Sequence, residues 1–264
     1  MQLIFSMIIA SAHALAPRWT ALGTGPKLSG SASTTTADGR VLLWGGLDEN
    51  KQAVDTLYAY AHGEWSQVHT TGAAPHKAMY AAAASQTHSG HEEIVVCGGW
   101  DPGAKGSGGS FTDAVSVLDL EKLEWISDGV LPCGPVSRHG AATVGDRVFV
   151  HTFREDILRR TSNGVIKAHK TTGDSPLGLS MASTVNLGDD RLCVFGGSSR
   201  DPAFSRDAYV MDADSYAWTK LDAPGGPGPR GSCASAAVDG ERVVVFGGAG
   251  VGGDGYNGGA GLTP

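Results

Sequence analysis

The side chains best suited to chemistry in this chain are arginines and aromatic rings set among glycines and prolines. Arg138, Arg200, Arg206 and Arg230 each stand close to a proline, and His139 follows the first of them. Trp100, Phe111 and Phe204 fall in two similar stretches, with Asp101-Pro102 before Phe111 and Asp201-Pro202 before Phe204. A guanidinium offers carboxylate or phosphate a planar pair of donors, and a ring beside it supplies an anchor. These residues together suit an acidic or phosphorylated peptide. The plainer reading makes each arginine a solvated loop residue or a partner of Asp101, Asp201 or Asp207.

Other chemistries find less support. Cys97, Cys133, Cys193 and Cys233 have no C-x-x-C spacing, so neither a zinc site nor a disulfide framework is expected. Cys97 and Cys193 sit in apolar runs and read as small buried hydrophobes. His88-Ser-Gly-His91-Glu92 places two histidines three apart with no further ligand at metal spacing. No Gly-x-Ser-x-Gly elbow, phosphate loop or H-E-x-x-H occurs, and no cofactor is expected.

The elements that must hold the arginines come from a repeat. Arg40-Val-Leu-Leu-Trp44-Gly45-Gly46 returns as Glu93 to Gly99, Arg191 to Gly197 and Arg242 to Gly248. Arg147-Val-Phe-Val-His151-Thr152-Phe153 keeps the apolar run and loses both glycines. The first-glycine slot falls at 45, 98, 152, 196 and 247, a period of about fifty residues that marks a propeller or array. Each period offers four strands. The first is a run of small residues (Ser29 to Thr36, Met79 to Ser85, Gly140 to Val144, Met181 to Val185, Ser232 to Val238), then a tight turn and the apolar second strand. A third strand follows a variable loop, and a fourth carries Trp65, Trp125 or Trp218. Tyr58, Leu118 and Met211 lie seven residues before those tryptophans, which predicts a fixed turn packing each ring on its own blade.

Four copies of Gly-Gly in register with three tryptophans, and the segment Pro135-Val-Ser-Arg138-His139-Gly140, resemble the kelch-repeat family over roughly residues 19–248. The resemblance implies an all-β propeller of about five four-stranded blades. The third repeat departs from the pattern and reads as a drifted blade that still pairs, with recruitment of His151 to a site as the sharper alternative. The chain after Gly248 offers no third or fourth strand, so the last blade is incomplete. Either a defective closing blade or a piece of a larger propeller fits, the latter better. An open sheet edge there would invite self-association.

Residues 1–14 end in Ala12-His13-Ala14, the small-x-small form of a signal-peptidase site, but no Lys or Arg precedes the apolar run. A cleaved leader would place the protein in the secretory pathway; a strand or disordered N-terminus would leave it cytoplasmic. The resulting division is residues 1–14, a propeller over 15–248, and a glycine-rich tail over 249–264 that is expected to be disordered. The net charge of −7 speaks against nucleic acid, and no apolar run of eighteen residues predicts membrane insertion.

Antiparallel connectivity brings the second-to-third and fourth-to-first loops to one face. That face would collect Trp100, Phe111, Arg138, His139, Arg200, Phe204, Arg206 and Arg230. The expected function is a non-catalytic scaffold that binds an acidic peptide or protein there. A secreted or lumenal kelch-type enzyme, or a carbohydrate-binding propeller, is the alternative; some members of the family are enzymes.

Overall fold

Short apolar runs broken by Asp-Gly, Gly-Asp and proline leave no room for a helix, and they repeat with the period of a hairpin meander. The computed structural model follows that reading. It is described over residues 24–88, 90–104, 108–154, 156–199, 204–222, 227–240 and 242–250, and every regular element there is a β-strand.

The chain divides into two compact units. One holds Leu22–Thr152 and Leu158–Ala168; the other holds Met1–Ala21, Phe153–Ile157 and His169–Pro264. The first blade runs Ala32–Thr35, Val41–Trp44, Leu57–Ala61, Glu64–Val68, paired in sequence order. The second runs Ala82–His88, His91–Cys97, Ala114–Asp119, Glu124–Val130, with Thr71–Gly72 added in parallel outside the last strand. The third is Gly140–Val144, Arg147–His151, Asp156–Arg160, Ile166–Lys170. The fourth is Ser183–Gly188, Arg191–Phe195, Ala208–Asp212, Ala217–Leu221, again with a parallel outer segment, Thr172–Gly173. The fifth has two strands among the described residues, Ala234–Asp239 and Arg242–Phe246.

Core packing is blade on blade. Leu42, Trp44, Leu57 and Ala59 of the first blade meet Ile94, Val96, Leu118 and Trp125 of the second. Trp44 and Trp125 touch edge to face with ring centroids 6.4 Å apart. In the other unit Val243 and Val245 of the fifth blade cover Val185, Leu187, Cys193 and Phe195 of the fourth.

The Gly-Gly pairs join successive blades. The first glycine closes its own blade, donating its N–H to Thr56, Ala114 or Asp207 at 3.1, 3.0 and 2.9 Å from Gly45, Gly98 and Gly196. The second reaches the loop entering the next blade: Gly46, Gly99 and Gly197 donate to Ala78, Val136 and Arg230 at 2.8, 2.8 and 2.9 Å. Both positions have positive φ, which a side chain adopts at a cost. In the third blade Phe153 alone is left-handed, and its carbonyl accepts from Gly178 N–H at 2.8 Å. Its first two strands nonetheless pair in full register from Gly140↔His151 to Val144↔Arg147.

Two expectations change. Leu118 and Met211 do sit directly opposite Trp125 and Trp218, but Tyr58 is opposite Gln67. Trp65 instead packs on Tyr60, at 5.3 Å between centroids. The first blade turns through His62-Gly63 alone, so the tryptophan's partner lies five residues back rather than seven. The second change concerns the tail: Ala249–Gly250 pair antiparallel with Arg230–Gly231. That pairing repeats the bridges Ser29↔Leu47, Met79↔Trp100 and Ser180↔Ser198 of the other blades. The segment 1–14 and the rest of the tail lie outside the described residues.

Candidate binding site

The residue two positions before each first strand has left-handed backbone: Gly30, Tyr80 and Arg138 in one unit, Met181 and Ser232 in the other. Tyr80, Arg138 and Ser232 each bond to the equivalent residue of the preceding blade. Tyr80 N–H donates to Gly30 C=O at 2.7 Å and Arg138 N–H to Tyr80 C=O at 3.0 Å. Ser232 N–H donates to Met181 C=O at 2.8 Å. Tyr80 and Arg138 are thus successive rungs of one ladder. Gly30 leaves room for the Tyr80 ring, which would lie 3.0 Å from a Cβ at that position.

The ladder places the Arg138 guanidinium 4.6 Å from the centre of the Tyr80 ring and 5.6 Å from that of Trp100. Trp100 stacks on Phe111 with centroids 6.1 Å apart and planes 20° from parallel. The indole is held by its Nε1–H, which donates to Gly108 C=O at 2.7 Å, and by the backbone pairings Trp100↔Phe111 and Met79↔Trp100. Arg138 is half-buried, and its guanidinium makes no hydrogen bond or ion pair with any described residue. Ring faces attract the cation without using its N–H donors, so those donors stay available to an anion. Phe111, 47% exposed, extends the apolar surface outward.

His139 was expected on the same face and is instead buried, with 9% exposure. The missing side chain of Gly98 makes that place: a Cβ there would lie 2.5 Å from His139 Cε1. Its Nε2 is 3.6 Å from Cys97 Sγ. Burial pushes the imidazole down to about 4 and the Cys97 thiol up to about 12. Both are neutral near pH 7, so the pair is no thiolate–imidazolium nucleophile. The sign of the histidine effect is testable. Its ordinary value is 6.5, so between pH 6.5 and about 4 the unfolded chain takes up a proton that the folded chain refuses. Stability is therefore full above pH 6.5 and falls on acidification, by roughly 2–3 kcal/mol at pH 4.5. Urea denaturation at pH 7 and 4.5 should show that loss, and His139→Gln should flatten it. Asp38 and Asp119 are held down to about 2 by hydrogen bonds to Thr36 and to Lys122, so their loss comes at lower pH.

The remaining expected site residues belong to the other unit. Phe204 has the same bridge position as Phe111 but is buried against Gly231 and Met181, because its bridge partner is the small Ser198 rather than Trp100. Arg230 spends its guanidinium on Gly228 and Gly247 carbonyls, both at 3.1 Å. Arg206 is exposed beside a shallow cleft of about 330 Å³, also lined by Asp207, Lys220, Leu221 and Asp222. There Lys220 already pairs with Asp207 at 2.9 Å. Arg200 lies outside the described residues. Tyr80, absent from the sequence-based set, is part of the site. His91 meets Glu121 at 3.0 Å on the surface, and no group of three His, Cys, Asp or Glu among the described residues is arranged to hold a metal.

The comparisons with known proteins agree with this architecture. Residues 180–225 match the Kelch motif model. Kelch domain-containing protein 3 of Rattus norvegicus is 25% identical over 278 residues, spanning 89% of this chain and 68% of the relative. Kelch domain-containing protein 2 of Bos taurus is 30% identical over 148 residues, 52% of this chain and 36% of the relative. The solved structure of YjhT superposes with a TM-score of 0.70 at 16% identity, covering 91% of this chain and 83% of that one, which speaks for the fold alone. Repeated Gly-Gly strands, the blade order, the motif match over residues 180–225 and these relatives together support a β-propeller of kelch-type repeats.

Proposed function

We propose that the protein is a non-catalytic interaction module that captures an acidic segment of a partner protein, with Arg138 as its principal contact. The observation that carries this reading is a guanidinium fixed against Tyr80 and Trp100 with no acidic partner among the described residues. A carboxylate can take two parallel N–H donors from it, while Trp100 and Phe111 receive a neighbouring apolar side chain. The kelch propeller and the kelch domain-containing relatives support a binding role of this kind. The Cys97–His139 pair gives no support to an enzymatic alternative.

Selection from a random peptide library on the immobilised full chain should enrich Asp and Glu beside an apolar residue. A charge-assisted bond is worth about 1.5–3 kcal/mol, so Arg138→Ala should weaken a selected peptide roughly ten- to hundredfold. Arg138→Lys should recover little, since it keeps the charge without the planar fork. Unchanged affinity in Arg138→Ala, measured by titration calorimetry, would refute the assignment.

A further inference from the structure

In the first two blades the entering loop meets the loop after the second strand in the same way. Ser29 N–H donates to Leu47 C=O at 3.0 Å in the first, and Met79 N–H to Trp100 C=O at 2.9 Å in the second. The next residues match as well: Asp48 Oδ1 accepts from Asn50 N–H and Asp101 Oδ1 from Gly103 N–H, both at 2.9 Å. Glu49 of the first blade therefore corresponds to Pro102 of the second. By the same register Lys27, two residues before Ser29, corresponds to Lys77, two before Met79.

In the first blade this geometry makes an ion pair, with Lys27 Nζ 2.7 Å from Glu49 Oε1 across the two loops. In the second the cation is kept and the carboxylate is gone: proline stands in its place, and residues 103–110 add no acid. Lys77 is exposed, and its ammonium makes no hydrogen bond or ion pair with any described residue. The acids of the two neighbouring loops are engaged elsewhere. Glu49 is held by Lys27, Asp48 by the N–H groups of Asn50 and Gln52, and Asp101 by that of Gly103.

With Arg138 as the principal contact, as proposed above, we infer that Lys77 is the second charged contact of the same site and that the captured segment carries two acidic side chains a few residues apart. Lys77 lies three residues before Tyr80, whose ring backs the Arg138 guanidinium at 4.6 Å. Trp100 ties the two positions together. Arg138 lies over its ring at 5.6 Å, and the slot that corresponds to Glu49 is two residues further along the same loop. An extended segment laid across Trp100 meets both cations, and one carboxylate goes to each. Lys77 is a solvated point charge on a flexible stem, so it contributes less than Arg138 and is screened by salt.

A random peptide library selected at low salt on the immobilised full chain should yield two acidic positions, and the same library on Lys77→Ala only one. Changing the second acid of a wild-type-selected peptide to its amide should weaken binding to the wild type about two- to fivefold and to Lys77→Ala not at all. Pro102→Glu, which rebuilds the ion pair of the first blade, should behave like Lys77→Ala although the lysine is still present. A wild-type pool with a single acidic position would overturn the role of Lys77 and leave that of Arg138 standing. Full affinity in both variants for a peptide that Arg138→Ala weakens would do the same. A pool without acids would overturn both.

Discussion

Replacing Arg160 with alanine should lower the melting temperature by roughly 6–20 °C, the consequence of a loss of about 3–5 kcal/mol in a chain of this size. Arg160 ends the third strand of the third blade and is 3% exposed. Its Nε–H donates to Asp128 Oδ2 at 2.8 Å, its Nη2 lies 3.4 Å from Glu93 Oε2, and its Nη1 bonds to Gln86 Oε1. Gln86, 1% exposed, turns its amide Nε2 to Asp146 C=O at 2.6 Å. One guanidinium thus satisfies two carboxylates and an amide from the second blade, and that blade is tied in turn to the hairpin of the third. Truncation leaves Asp128 without its countercharge beside an orphaned Gln86 oxygen, which is why the cost exceeds that of a surface pair. Adding Asp128→Asn to Arg160→Ala should restore part of the loss, since it removes the stranded charge. Thermal melting of the three variants measures both effects; a shift under about 2 °C for Arg160→Ala would mean that water replaces the guanidinium at no cost.

The blades are legible in the sequence because each is a local object. A run of four or five apolar residues, a glycine pair and a tryptophan recur at nearly fixed spacing, and backbone pairing follows from them. The site is less legible because it depends on side chains some fifty residues apart. Phe111 and Phe204 have equivalent positions and similar flanking residues, yet one is exposed and the other buried. The difference lies in their bridge partners, Trp100 and Ser198, and in the glycine at 231 that admits the second ring. His139 reads as a loop residue beside Arg138, and only the bare Cα of Gly98 across the blade boundary explains its burial. Tyr80 could have been found only by aligning inter-blade loops of unequal length, where Pro75 precedes it by five residues and Pro135 precedes Arg138 by three. Arg160 is hidden because Asp-Ile-Leu-Arg-Arg gives no sign of which arginine points inward.

Gly98→Ala joins scaffold and site in one substitution, and it should cost about 2–6 kcal/mol. Left-handed backbone at φ 62 charges a side-chain-bearing residue about 1–3 kcal/mol. A Cβ there would also lie 2.7 Å from Val136 C=O and 2.5 Å from His139 Cε1, and relieving such overpacking costs about 1–3 kcal/mol more. The relief must move the segment Val136–His139, which carries Arg138 between its two anchors. Affinity for an acidic peptide should therefore fall in Gly98→Ala even under conditions where the protein remains folded. Gly247 supplies the control: it holds the same slot in the fifth blade at φ 67, with nothing among the described residues within 4 Å of an added Cβ. Gly247→Ala should pay only the backbone share and leave peptide binding intact. Urea denaturation of both variants, with peptide titration on each, separates the two contributions. Equal destabilisation would show that the glycine pair is needed only for its backbone conformation, and that the place occupied by His139 could be made some other way.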